Sequence, residues 1–200
     1  DGRGIVFAAT TNRHEAARAE VNTSLWLVDV SGGEPRRLTG DEGDYGSPEF
    51  TPDGKLLLAK VQPAAPQWVY TAARLVRWSW PSLDGRTVLT DGFDESVGQY
   101  VAAPDNRRVY FLAERAGHER LFSVPLAGGA VKEIGELRAG TYTRIAIGGP
   151  ASHPAMAAIW SSGHSGAYLP IRMSRSCVRG RTPKMICLAN SARSSERSFS

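Results

Sequence analysis

The amino-acid sequence predicts an all-β fold, specifically a partial β-propeller of about three to four four-stranded blades with an irregular basic C-terminal tail. The first observation behind this prediction is a turn phrase that recurs at a constant interval of 52 residues, at Asp1, Asp53 and Asp105. The second is that about four short strand-like runs, separated by turns, fill each interval without a sustained helical period. An immunoglobulin-like sandwich has a similar density of strands, but it would not repeat the same order of turns at this spacing.

Each turn phrase has the residues that a tight reversal requires. Pro52-Asp53-Gly54 combines a proline, which presets φ, with a glycine, which accepts a positive φ. Pro104-Asp105-Asn106 repeats the phrase with asparagine, the residue next best suited to positive φ. Asp1-Gly2 is interpreted as the remnant of an earlier copy, so the sequence starts within a repeat.

The strands between these turns are predicted in the same order in every repeat. An apolar run follows the turn phrase, a second strand leads to a Gly-Gly or Asp-Gly hairpin turn, and a third strand follows that turn. A fourth strand then leads into the next turn phrase. The ranges are 5–7, 24–30 and 35–39 in the first repeat; 46–51, 56–58, 73–80 and 86–90 in the second; 96–103, 109–112, 120–126 and 131–134 in the third; and 141–147, 155–162 and 166–170 in the fourth. One possible helical stretch, 13–21, falls inside a loop between strands.

The repeats divide the chain into blades at about 1–45, 46–95 and 96–140, with the start of another at 141–170, and a tail at 171–200. A blade buries its faces only against neighbouring blades, and closed propellers have about four to eight of them. Three blades and a part cannot close a ring. The sequence is therefore predicted to be a piece of a larger protein.

The charge of the chain is unevenly distributed. The formal net charge is +4, but residues 171–200 contain six Arg and one Lys against one Glu, so the body of the chain is acidic. The acidic charge of residues 1–170 therefore does not indicate a nucleic-acid partner. No apolar run approaches the length of about 20 residues that a membrane helix needs. Both cysteines, Cys177 and Cys187, lie in the tail without metal-ligand spacing.

The tail begins in the middle of a predicted blade, after Pro170. Three interpretations stay open: a basic extension that binds nucleic acid or an anionic surface, a disordered linker, and the product of a shifted reading frame. The interruption within a blade favours the shifted frame, because natural tails usually begin where a folded unit ends.

Several phrases of residues 1–170 resemble a known family. They are SLWLVDVSGGEPRRLT from Ser24, TPDGKLLLAK from Thr51 and, most specifically, the order LTDGFD, PDN, YFLAE and LFSVPLAGG between Leu89 and Gly129. Together they resemble the propeller of prolyl-oligopeptidase-family serine peptidases, in the branch of acylaminoacyl-peptidases and dipeptidyl-peptidases. The PDG phrase alone is weak, since the periplasmic Tol-system propeller carries it too.

The resemblance implies a propeller without catalytic residues of its own. In that family it caps the cavity of an α/β-hydrolase domain and admits peptides by size and by contacts at their N-terminus. No hydrolase domain is recognisable here, so no catalytic residue, metal or cofactor is assigned. The expected partner is a peptide substrate, reached through the missing hydrolase domain, with self-association through open blade edges. A cytoplasmic and a bacterial periplasmic location both stay open.

Two acidic loops are the candidate substrate contacts. They follow the equivalent dipeptides Leu38-Thr39 and Leu89-Thr90 in successive blades, where an outer strand crosses to the next inner strand. Their acidic residues are Asp41, Glu42 and Asp44 in the first loop and Asp91, Asp94 and Glu95 in the second. Such loops are mostly solvated turns, but oxygen ligands at this density could hold a cation or attract the α-amine of a peptide.

Other motifs have simpler interpretations. Gly163-His164-Ser165-Gly166-Ala167 resembles a nucleophile elbow, but no histidine follows Ser165 and Pro170 makes a poor helix start. A polar loop between strands is the favoured interpretation, and an esterase acting through Ser165 is the weaker hypothesis. Aromatic residues in the strands are expected to pack between blades; these are Trp26, Trp78, Trp80 and Trp160. A stand-alone binding propeller of the Tol-system type is the alternative to the peptidase segment.

Overall fold

The computed structural model describes residues 2–15, 17, 21–65, 70–135, 142–148, 156–161 and 167–169. Fourteen β-strands and one short 3-10 helix, Arg13–Glu15, make up the regular structure of these residues. The predicted all-β fold is confirmed. The possible helix over 13–21 is seen only as this single turn, and residues 16 and 18–20 lie outside the described residues.

The strands form four antiparallel sheets that follow one another along the chain. The first has β1 (Gly4–Ala9), β2 (Ser24–Asp29) and β3 (Arg36–Arg37). The second has β4 (Gly43–Phe50), β5 (Leu56–Pro63), β6 (Arg74–Ser79) and β7 (Thr87–Val88). The third has β8 (Tyr100–Ala102), β9 (Arg108–Arg115), β10 (His118–Pro125) and β11 (Lys132–Glu133). The fourth has β12 (Tyr142–Gly148), β13 (Met156–Ser161) and β14 (Ala167–Leu169). In the two middle sheets the order is sequential, as in a propeller blade.

The cores lie between the sheets, because the central strands are apolar on both faces. In β5, Leu57 packs towards the first sheet and Leu58 towards the third. In β9, Phe111 packs towards the second sheet and Tyr110 towards the fourth. Successive side chains of a strand point to opposite faces, so one strand supplies two cores. The sheets therefore stack face to face in the order of the sequence.

The core between the second and third sheets is built around aromatic rings. Phe93, from the loop before β8, packs edge-on against Phe111 and Phe122, with ring centroids 5.4 Å and 5.0 Å away. Phe111 and Phe122 are stacked on each other at 5.6 Å. The loop after an outer strand is thus anchored to the next sheet by a buried ring, which fixes where that loop sits.

Hydrogen bonds also connect equivalent positions of successive blades. The amide of Asp53 donates to the side-chain carbonyl of Asn106 at 3.1 Å, and the amide of Ala102 donates to Glu49 Oε1 at 3.2 Å. The hydroxyl of Tyr100 donates to the backbone carbonyl of Ser47. Each bond spans 53 residues, which is close to one repeat. All three bonds join the second sheet to the third, so residues about one repeat apart in the sequence lie side by side there.

The turn phrase has the predicted conformation in both complete copies. Gly54 has φ of 68° and Asn106 has φ of 54°. In each copy the aspartate accepts a hydrogen bond from the amide two residues on: Asp53 from Lys55 at 3.1 Å and Asp105 from Arg107 at 3.0 Å. Asn106 also bridges to the preceding turn, a role that the sequence did not predict.

Candidate functional site

The two acidic loops lie at the same end of the stacked sheets. Strands alternate in direction, so the crossover loops 38–42 and 89–99 emerge beside the loops that join β1 to β2 and β5 to β6. Hydrogen bonds show this directly: the amide of Ala64 donates to the carbonyl of Glu42 at 3.1 Å, and the amide of Ala73 donates to Ser96 Oγ at 2.9 Å. We call this end the acidic rim, formed by residues 38–44 and 89–97, of which 43 and 44 are the first residues of β4.

The first acidic loop uses its carboxylates to hold its own shape. Asp41 accepts a hydrogen bond from Arg37, whose guanidinium also donates to Ser24 Oγ at 2.7 Å. Asp44 accepts from the amide of Thr23 at 2.6 Å. Glu42 accepts from the hydroxyl of Tyr45 at 2.6 Å. All three predicted contact residues of this loop therefore have intramolecular partners.

Charge and burial act in opposite directions on Glu42. Partial burial favours its neutral form, but the hydrogen bond from Tyr45 and the nearby charge of Arg86 outweigh burial and hold the pKa of Glu42 below its ordinary value. Burial and the same hydrogen bond raise the pKa of Tyr45 to about 12. Tyr45 is thus a fixed hydrogen-bond donor at neutral pH, and Glu42 stays a carboxylate.

The second loop divides into one paired carboxylate and two free ones. Glu95 binds Arg115, and this hydrogen bond lowers the pKa of Glu95. Arg115 continues to Glu133 at 3.1 Å, and its guanidinium lies over the ring of Phe122, 4.8 Å from the centroid. Asp91 and Asp94 are exposed and make no hydrogen bond or ion pair with any residue in the described part of the chain.

The six predicted contact residues therefore have different surroundings. Four are engaged within the fold, and Asp91 and Asp94 keep carboxylates that face solvent. These two side chains are the part of the rim best able to attract a cationic group. Their role as substrate contacts stays a prediction.

A polar cavity lies beside the first acidic loop and was not predicted. Its volume is about 150 Å³. The lining residues come from the end of β1, the loop between β1 and β2, β2 itself, β3 and the first acidic loop: Ala9, Thr11, Asn12, Asn22, Ser24, Trp26, Arg37 and Asp41. Asp41 has 81% of its side chain exposed, and Trp26 supplies an aromatic wall. The residues are scattered over more than thirty positions of the sequence, so no local motif could have indicated them.

The tryptophans differ from one another in position. Trp78 is buried between the first and second sheets, 5.9 Å from the ring of Tyr45, as predicted. Trp80 packs against Phe50 at 5.0 Å beside the same core. Trp26 lies on the face of the first sheet that points away from the second sheet. Its packing between blades therefore stays a prediction. The side chain of Trp160 lies outside the described residues.

A metal site is not seen among the described residues. They contain no group of three or more His, Cys, Asp or Glu side chains arranged to hold a metal ion. Within the same residues no helix is long and apolar enough to cross a membrane. Ser165 and the tail 171–200 lie outside the described residues. The esterase hypothesis and the interpretations of the tail therefore stay predictions.

Comparison with known proteins supports a propeller associated with peptidases. No protein-family model matches the chain. A curated relative is dipeptidyl-peptidase 5 of Porphyromonas gingivalis, 24% identical over 135 residues. That match spans 67% of this chain and 19% of the peptidase, so the chain corresponds to about a fifth of the relative's length.

Solved structures of β-propellers are similar to the whole stack of sheets. The β-propeller domain of the trilobed protease from Pyrococcus furiosus matches 86% of this chain and 52% of that domain, with a TM-score of 0.53 and 14% identity. TolB from Acinetobacter baumannii matches 81% of this chain and 39% of its own, with a TM-score of 0.52 and 16% identity. At these identities the likeness establishes the β-propeller fold.

Proposed function

We propose that this chain is the non-catalytic propeller part of a serine peptidase of the prolyl-oligopeptidase type. In this proposal it admits or selects peptides for an α/β-hydrolase domain that carries the catalytic Ser, Asp and His. The observation that carries the proposal is the similarity to dipeptidyl-peptidase 5 over 135 residues. The order of phrases between Leu89 and Gly129 supports it independently of the fold.

The acidic rim supplies a physical means of selection. The α-amine of an unblocked peptide is a cation at neutral pH, and the carboxylates of Asp91 and Asp94 attract it without first breaking an intramolecular bond. At about 4 Å in water, one such charge pair contributes about 1 kcal/mol. This favours peptides with a free N-terminus over N-blocked peptides by a modest factor.

The coding DNA beyond the codon of Pro170 tests this proposal. Translation of all three frames is expected to give further strand-and-turn repeats, then a Gly-x-Ser-x-Gly motif with an Asp and a His after it. A coding region that ends after further blades, without such a motif, would contradict the proposal.

A stand-alone binding propeller is the second candidate, and the similarity to TolB over 81% of this chain favours it. The two candidates share the fold, and they differ in whether a hydrolase domain follows. The same reading of the DNA therefore separates them.

The peptidase proposal also expects no catalysis by this chain alone. Purified chain is expected to hydrolyse an activated ester at the background rate. Turnover above background that is lost in Ser165→Ala, but kept in Ser161→Ala, would instead establish the esterase hypothesis.

A further inference from the structure

A lysine, Lys60, occupies a core-facing position in the middle of β5. Successive side chains of a strand alternate, so Lys60 shares the face of Leu58, which packs in the core between the second and third sheets. Its cross-strand neighbour in β6 is Leu75, and both leucines are 0% exposed. One repeat of 52 residues later the same position holds Leu112, which is 1% exposed. The fold therefore places an amine where the next blade has a buried apolar side chain.

No carboxylate balances the charge of this lysine. Lys60 makes no hydrogen bond or ion pair with any residue in the described part of the chain. The strands of its own sheet contain two acidic residues, Asp44 and Glu49. Both accept hydrogen bonds from backbone amides, at 2.6 Å and 3.2 Å. The acids of the sheet are therefore engaged elsewhere.

The third sheet, which faces Lys60 across this core, supplies no counter-charge either. Its acidic residues nearest the interface, Glu95 and Glu133, are bound to Arg115. The other ionisable side chains on the two facing surfaces carry no negative charge at neutral pH; they are Arg77, Tyr100, Arg115, His118 and Arg120. Burial therefore acts on Lys60 unopposed and lowers its pKa from the ordinary value of 10.5.

The amine is half-buried, yet solvent reaches it. Gly46 of β4 is paired with Lys60, and a Cβ at Gly46 would have no heavy atom within 4 Å outside its chain neighbours. Paired residues share a face, so the missing side chain leaves a gap beside the lysine. Lys60 Nζ is also not one of the polar atoms that lack a hydrogen bond and are completely buried. A small molecule thus has a route to this nitrogen.

We propose that Lys60 is the lysine of the described chain that small activated acyl donors, such as acyl phosphates, modify first. A lysine desolvated by apolar surroundings is a nucleophile. The unprotonated Nζ attacks the carbonyl carbon of the donor, and the C–N bond forms as the C–O bond to phosphate breaks. Phosphate leaves with the bonding electron pair, and the proton of the nitrogen passes to water. The product is a neutral amide, so the reaction removes an uncompensated charge from the edge of the core.

Incubation of the full chain with acetyl phosphate at about pH 7.5, followed by peptide mass spectrometry, tests this proposal. Lys55 and Lys132 are exposed and serve as controls within the same molecule. Lys60 is expected to be acetylated at least about fivefold faster than either, because each unit by which a pKa falls makes the free amine about tenfold more abundant. In about 8 M urea the three rates should agree within about twofold, since the preference depends on the fold.

Gly46→Leu tests the route to the amine. Gly46 is not among the residues with positive φ, so a side chain there fills the gap without backbone strain. This variant is expected to slow the acetylation of Lys60 severalfold and to leave that of Lys55 unchanged. Circular dichroism checks that the variant folds, and where it does not, the comparison of the wild type with and without urea decides.

Equal rates at the three lysines without urea would overturn the proposal. So would a preference for Lys60 that urea does not remove, or one that a folded Gly46→Leu variant does not reduce.

Discussion

Buried threonines explain the leucine–threonine dipeptide that precedes each acidic loop. The hydroxyl of Thr90 accepts a hydrogen bond from the amide of Leu75 at 3.0 Å, while the amide of Leu89 donates to the carbonyl of Leu75 at 2.8 Å. Thr39 does the same for Leu25, also at 3.0 Å. A side chain thus continues the ladder of hydrogen bonds where the short outer strand ends. The leucine–threonine dipeptide therefore has a structural role, and the acidic residues come after it in the sequence.

Thr90→Val is expected to lower the free energy of unfolding by about 1–3 kcal/mol, because the buried amide of Leu75 loses its acceptor. Thr90→Ser keeps the hydroxyl and should lose much less. Urea denaturation of both variants measures the difference. An equal loss in the two variants would show that the methyl group, and not the hydrogen bond, supports this position.

The pairing of Glu95 with Arg115 predicts a dependence of stability on pH. In the folded state the hydrogen bond from Arg115 lowers the pKa of Glu95 from its ordinary value of 4.5. The unfolded chain then binds more protons in this range, so the stabilisation is present above pH 4.5 and is lost as the pH falls through the folded pKa. The difference in urea midpoint between about pH 7 and about pH 3 should be smaller in Glu95→Gln than in the wild type. An unchanged difference would contradict this role.

At the scale of elements, the long strands could be predicted and the short ones could not be delimited. β5, β9 and β10 combine apolar runs with turn phrases. The predicted ranges of β5 and β9 fall within longer observed strands, and the range predicted for β10, 120–126, ends one residue beyond Pro125. The outer strands β3, β7 and β11 are only two residues long. Side-chain and loop hydrogen bonds replace the ladder there, and such bonds depend on partners that are distant in the sequence.

The acidic loops were found from the sequence, but their pairing was not. Arg115 lies 20 residues from Glu95, and Thr23 lies 21 residues from Asp44. Only the stacking of the sheets brings these partners together, so the sequence could not separate Asp91 and Asp94 from the engaged residues. The polar cavity could not be predicted for the same reason, because its lining residues come together only in the folded chain.

The acidic rim gives a prediction about peptide binding. Addition of an unblocked dipeptide amide should shift the NMR signals of residues 89–97 more than addition of its N-acetylated form. Asp91→Asn with Asp94→Asn should weaken the binding of the unblocked form at least about fivefold, because loss of even one charge pair removes about 1 kcal/mol. Asp84→Asn is the control, since Asp84 is exposed in the hairpin before β7, at the opposite end of the sheets. If Asp84→Asn weakened the binding of the unblocked dipeptide amide equally, the effect would come from the change in net charge and not from the position of Asp91 and Asp94.

At the scale of the whole molecule, the account depends on how the four sheets are stacked. The acidic rim in particular requires successive sheets to lie face to face in the order of the sequence. Two aromatic-rich cores and three hydrogen bonds that span 53 residues support this arrangement.

Nuclear Overhauser effects between the ring protons of Tyr100 and the α-proton of Ser47 test this arrangement most directly. Tyr100 and Ser47 belong to neighbouring sheets and are joined by the tyrosine hydroxyl. We expect this cross-peak together with one between Phe111 and Phe122, which reports the fold within the third sheet. A spectrum with the Phe111–Phe122 cross-peak but without the Tyr100–Ser47 cross-peak would contradict the stacked-sheet account.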